Sequence, residues 1–257
     1  MKIHCIADTS PTAQEALNLI KQHNPSLIFE EPGITKEEVI IVVIGGDGFM
    51  LHILHKYIKL PHRFFGLNAG TVGFLMNQFS PDNLIKRIEE AELTALHPLK
   101  MEIVDINNNK NDALAINEVA LFRQTNQSAH LKISINNKVK LEQMVGDGIL
   151  ISTPAGSSAY NFSAGGPIIP LEANILALTA LNPYRPKRWS CALIPDTSEV
   201  EVEILNHEKR PVGISADFIE YRDVLNAKIY LDRTKDIKLL FDPEHSLEER
   251  ILNEQFK

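Results

Sequence analysis

The sequence predicts an α/β domain with an open sheet, followed by a β-rich, mostly antiparallel domain. Before His97, short apolar runs alternate with helix-like segments, which is typical of a sheet with helical connections. After His97, runs of alternating polarity are separated by turn clusters such as residues 107–111 and 207–211, which is typical of antiparallel strands. The boundary between the two domains is therefore expected near His97.

The N-terminal elements follow from capping residues and buried runs. Residues 3–7 predict a strand, and Ser10 with Pro11 opens a helix to about His23, because Ser caps a helix and Pro fits its first position. The run VIIVVI at 39–44 is apolar and β-branched throughout, as in a strand buried on both faces of a parallel sheet. The next strand is expected at 63–67.

Further helices and loops follow from the same signals. Residues 68–74 (NAGTVGF) predict a glycine-bearing loop, and Ser80 with Pro81 predicts a helix to about Glu92. In the β-rich part we expect helical interruptions near 158–163 and 171–181 and a last helix at 246–254.

Composition limits the class of function. The chain has 257 residues, 44% hydrophobic content and a formal charge of -7, so it is globular and unsuited to gripping nucleic acid or an anionic membrane by net charge. Cys5 and Cys191 are far apart, which predicts neither a disulfide framework nor a CxxC zinc site. Without a signal-like or membrane-spanning apolar stretch, a cytoplasmic location is expected.

The first candidate site is the turn that follows the VIIVVI run. Gly45, Gly46, Asp47 and Gly48 lead into a helix-like segment, and three glycines before a helix N-terminus favour close approach of a phosphate. A carboxylate beside phosphates makes sense as a base or next to a bound cation, and both roles belong to phosphoryl transfer. A simple tight turn, in which Asp47 bonds to its own backbone, is the structural alternative.

Two further strings are candidates for ligand binding. Asn117 and Glu118 interrupt the apolar run ALAINEVALF, and an amide beside a carboxylate can read an adenine or carboxamide edge or ribose hydroxyls. The alternative is a half-buried strand with one solvated Glu. Gly146, Asp147 and Gly148 precede TPAGSSAY at 153–160, whose small residues, hydroxyls and tyrosine suit a ligand, although a plain loop with a helix cap has similar composition.

Together these strings resemble the NAD kinase family, which has a GGDG turn, an Asn-Glu pair and a TPxGSxAY-like segment in this order. The resemblance covers almost the whole chain, including the loop at 66–75. It implies a Rossmann-like α/β domain, at 1–97 with a returning tail at about 238–257, and a dinucleotide-binding β-rich domain at 98–237. This is the NAD kinase and diacylglycerol kinase-like fold.

The resemblance also implies an activity. ATP, with a divalent cation such as Mg²⁺, donates its γ-phosphate to the 2'-hydroxyl of the adenosine ribose of NAD, with Asp47 as general base. The family implies a homodimer or homotetramer, with NAD and ATP as the small-molecule partners and neither nucleic acid nor membrane. The residues expected on ATP phosphates are Gly45, Gly46, Gly48 and His52; those expected on NAD are Phe74, Asn117, Glu118, Asp147, Ala155, Ser158, Ala159, Tyr160, Asn161, Ser163, Asn182 and Asp217.

Some residues depart from the family pattern or have weaker roles. The chain has NPYRPKRWS at 182–190, where many members have Pro-His and then Arg-Pro, and Asp217 is followed by Phe218 instead of Gly. We interpret both as subgroup variation. His52 and His55 are three residues apart without a third ligand at a suitable spacing, so no resident metal is predicted.

Two other functions share parts of the pattern. A lipid kinase shares the GGDG turn, but it would need a basic or apolar membrane-facing surface that the sequence does not indicate. A non-catalytic dinucleotide sensor would keep the pocket, but it gains nothing from a carboxylate beside phosphates.

Overall fold

The computed structural model describes residues 2–70, 73–187 and 189–243. The chain divides into two compact units, one formed by Met1–Leu96 with Thr234–Lys257 and the other by His97–Arg233. As predicted, the first is an α/β unit and the second is β-rich.

The first unit is a mixed sheet with helices. The elements are β1 (Ile3–Ala7), α1 (Pro11–His23), β2 (Ile40–Gly45), α2 (Asp47–Tyr57), β3 (Arg63–Asn68), β4 (Asn77–Gln78), α3 (Leu84–Glu90), β5 (Glu92–Leu96) and β18 (Ile237–Phe241). The strands lie in the order β1-β2-β3-β18-β5, with β4 paired to β3. The pairs between β1, β2, β3 and β18 are parallel, whereas β5 runs antiparallel to β18.

The strand β2 forms the centre of this unit. All six of its residues are buried, as expected for a parallel strand that is covered on both faces. Ala13, Ala16 and Ile20 of α1 pack against the same core. The predicted first helix is confirmed with its bounds, because Pro11 occupies its first turn and Asn24 ends it.

The strand β18 returns from the end of the chain to lie between β3 and β5. Glu38 stabilises this return, because its Oε1 lies 3.1 Å from Lys238 Nζ and its Oε2 lies 3.0 Å from Arg63 Nη2. The hydrogen bonds from Arg63 and Lys238 lower the pKa of Glu38. One carboxylate thus joins the starts of β3 and β18.

The second unit consists of two antiparallel sheets with one short helix. The elements are β6 (Leu99–Asp105), β7 (Lys110–Ala115), β8 (Glu118–Arg123), β9 (Ala129–Ile135), β10 (Lys138–Gly146), β11 (Gly148–Ser152), α4 (Tyr160–Ser163), β12 (Ile175–Leu181), β13 (Cys191–Pro195), β14 (Val200–Ile204), β15 (Val212–Ala216), β16 (Ile219–Tyr221) and β17 (Val224–Leu231). One sheet has the order β10-β9-β14-β17-β6-β7 and the other β13-β12-β11-β8-β15-β16.

The two sheets of this unit share one apolar core. Leu131 and Ile229 of the first sheet and Leu121 and Ile151 of the second belong to the same buried cluster. On the first sheet, alternate residues face the core. The buried ones are Leu99, Met101 and Ile103 in β6 and Ala129, Leu131 and Ile133 in β9. The alternation found in the sequence is therefore the signature of a two-sheet sandwich.

Three of the predicted helices differ from the structure or lie outside its described residues. The predicted helix at 171–181 is wrong, because Ile175–Leu181 forms β12 between β11 and β13; a continuous apolar run fits a doubly covered strand as well as a helix. The helix predicted from Ser80 begins only at Leu84, since Asn83 has φ 53° and cannot continue a right-handed helix. The predicted helix at 246–254 lies outside the described residues.

Candidate active site

The glycine-rich turn lies where β2 passes into α2. Gly45 ends β2, Gly46 is the extended N-cap with ψ -179°, and Asp47 is the first helical residue. A β-carbon on Gly46 or Gly48 would meet no described atom within 4 Å, so these two glycines leave space beside the backbone. The helix N-terminus and this space together suit an anionic group.

The carboxylate of Asp47 is held by a loop of the same unit. Its Oδ2 accepts a hydrogen bond from Phe74 N at 2.7 Å, and its Oδ1 accepts one from Leu75 N at 3.0 Å. Gly73 permits this approach, because a β-carbon there would lie 3.1 Å from Asp47 Oδ1 and 2.7 Å from Met76 Cγ. Two backbone donors therefore fix the orientation of the Asp47 carboxylate.

The other predicted residues of this unit take less central positions. His52 is exposed on α2 and His55 is half-buried. Phe74 is half-buried and contributes its backbone N–H to Asp47. No group of three or more His, Cys, Asp or Glu side chains in the described ranges is arranged to hold a metal ion.

In the second unit, Asn117 and Glu118 lie at the start of β8. The carboxylate of Asp217 fixes this start, since its Oδ2 accepts from Ile116 N at 2.7 Å and its Oδ1 accepts from Asn117 N at 3.0 Å and Glu118 N at 3.1 Å. From the other side, Thr153 N donates to Asn117 O at 2.9 Å. The peptide groups around Asn117 are thus held through both their donors and their acceptor.

The side chains of this pair keep two buried acceptors. Asn117 Oδ1 and Glu118 Oε2 have no hydrogen-bond partner within the described part of the chain. Burial, followed by the charge of Asp217, raises the pKa of Glu118 to about 8. Buried acceptors without donors are costly, which suits a site that receives hydroxyl or amine groups from a ligand.

The TPAGSSAY loop packs directly onto the same strand start. A β-carbon on Gly156 would lie 2.2 Å from Asn117 O, so only glycine allows this close approach. Thr153 Oγ1 donates to Ile116 O at 2.7 Å and accepts from Gly156 N at 3.1 Å. The sequence alone assigned Thr153 no role, because its acceptor Ile116 O is 37 positions away.

Asn161 holds the end of this loop from inside. It is fully buried, and its Nδ2 donates to Ser157 O at 3.1 Å and Pro167 O at 2.9 Å. Its Oδ1 accepts from Thr179 Oγ1 at 2.6 Å. Asn161 therefore connects the loop to β12 through buried hydrogen bonds.

Several predicted residues surround one cavity of about 670 Å³ in the second unit. Asp147 lies at this cavity between two donors, Arg123 Nε at 2.5 Å and Asn182 Nδ2 at 2.9 Å. The Asn182 and Arg123 hydrogen bonds lower the pKa of Asp147. The rings of Tyr160 and Phe122 lie 5.9 Å apart on the same wall. The cavity therefore combines an aromatic surface with a charged polar group.

The remaining predicted residues are distributed around this loop. Ser163 lines the cavity, whereas Ala155 is buried and Ser158 and Ala159 are half-buried. The sequence offered no indication of Arg123, because its partner Asp147 is 24 positions away and nothing in the local pattern marks the pair.

No helix in the described ranges is long and apolar enough to cross a membrane.

The chain is a phosphotransferase, as its relatives of 43 to 50% identity show, and its α/β and β-rich units have the fold of solved kinases. Residues 116–219 match the ATP-NAD kinase C-terminal domain. The NAD kinase of Rhizobium meliloti (strain 1021) is 50% identical over 217 residues, 84% of each chain. The NAD kinase of Zymomonas mobilis (strain ATCC 31821 / ZM4 / CP4) is 43% identical over 256 residues, 98% of this chain and 96% of that one. The chain therefore belongs to the NAD kinase family.

Solved structures share the fold. A yeast NADH kinase complexed with NADH has a TM-score of 0.82 at 21% identity, and the match covers 100% of this chain and 87% of the yeast chain. An NAD kinase from Archaeoglobus fulgidus in complex with ATP has a TM-score of 0.72 at 22% identity, with 98% and 96% covered. At these identities the likeness supports the architecture described above.

Proposed function

We propose that this kinase transfers the γ-phosphate of ATP to the 2'-hydroxyl of the adenosine ribose of NAD, with Asp47 as general base. The main support for this proposal is the position of Asp47. Phe74 and Leu75 fix its carboxylate at the carboxyl end of β2, where ligands of open α/β sheets bind. An ionised carboxylate takes the hydroxyl proton as phosphorus is transferred, and phosphoryl transfer depends mainly on such positioning.

The phosphates of ATP are assigned to the turn formed by Gly45, Gly46 and Gly48, with His52 on the following helix. The open space beside Gly46 and Gly48 supports this assignment. Magnesium would arrive bound to ATP and would offset the negative charge that develops on the phosphates. The NAD kinase from Archaeoglobus fulgidus was solved in complex with ATP, which supports ATP as the donor.

The dinucleotide is assigned to the second unit. Asn117 and Glu118 offer buried acceptors, and the cavity beside Asp147, Tyr160, Ser163 and Asn182 offers an aromatic wall. A lipid substrate has no comparable support, and relatives about half identical to this chain are named NAD kinases. We therefore favour NAD over a lipid acceptor and catalysis over a sensor function.

The test is an assay with ATP, magnesium and NAD in which an NADP-dependent dehydrogenase reports the product. Asp47→Asn should lower kcat by roughly 10² to 10⁴, the usual effect of losing a general base, while dinucleotide binding remains. Asp82→Asn, which removes an exposed carboxylate of the same unit, should retain activity. Near-normal turnover of Asp47→Asn would exclude the base role. Replacing ATP by inorganic polyphosphate in this assay defines the donor.

We further propose that the enzyme is cytoplasmic and works as a homodimer or homotetramer. The support is that β7, β10, β13 and β16 lie at the edges of the two sheets, and uncovered edges favour pairing or covering. Light scattering coupled to size exclusion should give a mass of two or four chains. A monomer at catalytic concentration would contradict this assembly.

A further inference from the structure

Asp217 is placed to act on a neighbouring segment. It lies between β15 and β16 with φ 50°, a left-handed conformation that Asp and Asn tolerate better than most residues. Its backbone N–H donates to Glu118 O at 3.0 Å, and its carboxylate accepts from the three consecutive N–H groups of residues 116–118. One turn residue thus binds the start of β8 through both its backbone and its side chain.

This arrangement restricts the rotation of three consecutive peptide groups. Three N–H donors on one carboxylate form charge-assisted hydrogen bonds, which are shorter and stronger than neutral ones. Thr153 holds the opposite side through Asn117 O. Because the backbone is fixed on both sides, the directions of the Asn117 and Glu118 side chains are set before a ligand arrives.

We propose that Asp217 is a positioning residue for the dinucleotide site. Its carboxylate fixes the backbone of Asn117 and Glu118 and thereby directs their buried acceptors, Asn117 Oδ1 and Glu118 Oε2, toward hydroxyl or amine groups of the substrate. Asp217 itself does not contact the substrate. This role rests on the proposed function, since it assumes that the pair binds NAD. It replaces the direct contact between Asp217 and NAD that the resemblance implied.

Asp217 also affects Glu118 through its charge. The nearby Asp217 carboxylate adds to burial in raising the pKa of Glu118. Two hydrogen bonds keep the residues close: Asp217 N donates to Glu118 O, and Glu118 N donates to Asp217 Oδ1. Glu118 accepts a hydroxyl donor with both oxygens only when it is ionised. The affinity for NAD should therefore rise with pH through the range in which Glu118 ionises.

Asp217→Asn tests both effects. Asparagine keeps the left-handed preference and one acceptor oxygen but loses the charge. We expect KM for NAD to rise about 10- to 100-fold, or about 1.4 to 2.8 kcal/mol, while kcat and KM for ATP stay within about threefold. The pH at which KM for NAD falls should also move lower, because the like charge beside Glu118 has been removed.

The matched control is Asp223→Asn. Asp223 flanks the same strand β16 with φ 55°, and its backbone N–H, not its carboxylate, donates to Gln124 Oε1 at 3.0 Å. This variant should keep the wild-type KM for NAD and the wild-type pH profile. A second variant, Glu118→Gln, should remove the pH dependence of KM for NAD, and it decides the case if Asp217→Asn does not fold.

Several results would overturn the role of Asp217. An unchanged KM for NAD and an unchanged pH profile in Asp217→Asn would do so. A fall in kcat together with a rise in KM for both NAD and ATP would also do so, because it indicates general damage to the enzyme. Persistence of the wild-type pH dependence in Glu118→Gln would also contradict it. If wild-type protein does not phosphorylate NAD, the proposed function fails. Calorimetry then tests the positioning role alone, because NAD should bind more weakly to Asp217→Asn than to the wild-type protein.

Discussion

At the scale of single residues, three polar side chains in the candidate site bind backbone groups. Asp47 accepts from the loop at Phe74, Asp217 accepts from the start of β8, and Asn161 donates to carbonyls of its own loop. A short side chain that is bonded to peptide groups has few remaining rotamers, and its neighbours are fixed with it. The geometry of the site therefore depends on side chain to backbone contacts.

His62 makes the opposite case, a buried residue without such contacts. It is 1% exposed, and neither of its ring nitrogens has a hydrogen-bond partner among the described residues. The ring of Tyr57 lies 5.6 Å away. Burial, with a smaller contribution from His4 and an opposing one from Glu38, lowers the pKa of His62. The neutral imidazole is therefore the form that the fold accommodates.

We expect this histidine to make the first unit acid-sensitive. As pH falls below about 6.5 the unfolded state takes up a proton that folded His62 refuses, so stability is lost until the folded-state pKa is reached. His62→Phe removes this contribution, and its advantage over wild type should grow by roughly 1 kcal/mol for each pH unit in that window.

Urea unfolding followed by helix circular dichroism at several pH values measures this effect. The half-buried His207 provides the control. It belongs to the second unit, so His207→Asn should leave the pH slope of the first unit unchanged. Equal slopes for wild type and His62→Phe would show that His62 does not cause the acid sensitivity.

At the scale of elements, Arg87 connects α3 to the end of β18. Its guanidinium binds Asp242 through Nη2 to Oδ2 at 2.5 Å and Nε to Oδ1 at 3.1 Å, and Nη1 donates to Ser80 O at 3.1 Å. It also lies over the ring of Phe65 at 5.5 Å. The two charged side chains are 19% and 12% exposed, so this pair is well removed from water.

Arg87→Met should destabilise the first unit by about 2 to 4 kcal/mol, because it leaves the mostly buried Asp242 carboxylate without its partner. Arg87→Lys keeps the charge but loses the planar fork, so a smaller loss is expected. The control is Lys86→Met, which removes an exposed pair with Glu90 at 3.7 Å and should change stability by less than about 1 kcal/mol. Urea unfolding followed by helix circular dichroism measures all three. Similar losses in Arg87→Met and Lys86→Met would contradict the role of the pair.

Elements with a local signal were predictable from the sequence, and those set by partners were not. Pro11 and the β-branched run before Gly45 specified α1 and β2 through capping and burial. In contrast, β12 is a strand because β11 and β13 flank it, and its apolar composition fits a helix equally well. The start of α3 depends on the left-handed Asn83, which the Ser80-Pro81 signal did not reveal.

The same distinction applies to the candidate site. The glycine turn and the Asn117–Glu118 pair were visible as short strings, but their fixing partners were not. Phe74 N is 27 residues from Asp47, and Asp217 is about a hundred residues from the strand start that it holds. Such long-range contacts depend on the fold and leave no local pattern.

At the scale of the whole molecule, the chain consists of two units with separate cores and separate optical probes. The helices α1, α2 and α3 all belong to the first unit, whereas the second has the four-residue α4. The chain has one tryptophan, Trp189, which packs against the core of the second unit. Helix circular dichroism therefore reports mainly on the first unit, and tryptophan fluorescence reports on the second.

Two large-to-small variants test whether each core supports its own unit. Leu240→Ala alters β18 in the core of the first unit, and Ile229→Ala alters β17 in the core of the second; these side chains are 4% and 0% exposed. Each should cost about 2 to 5 kcal/mol. Leu240→Ala should lower the urea midpoint seen by circular dichroism and leave the fluorescence midpoint in place, because Trp189 is outside its unit. Ile229→Ala should do the reverse. If both midpoints shift together in either variant, the two units unfold as one cooperative structure, and the division into separate cores does not extend to their stability.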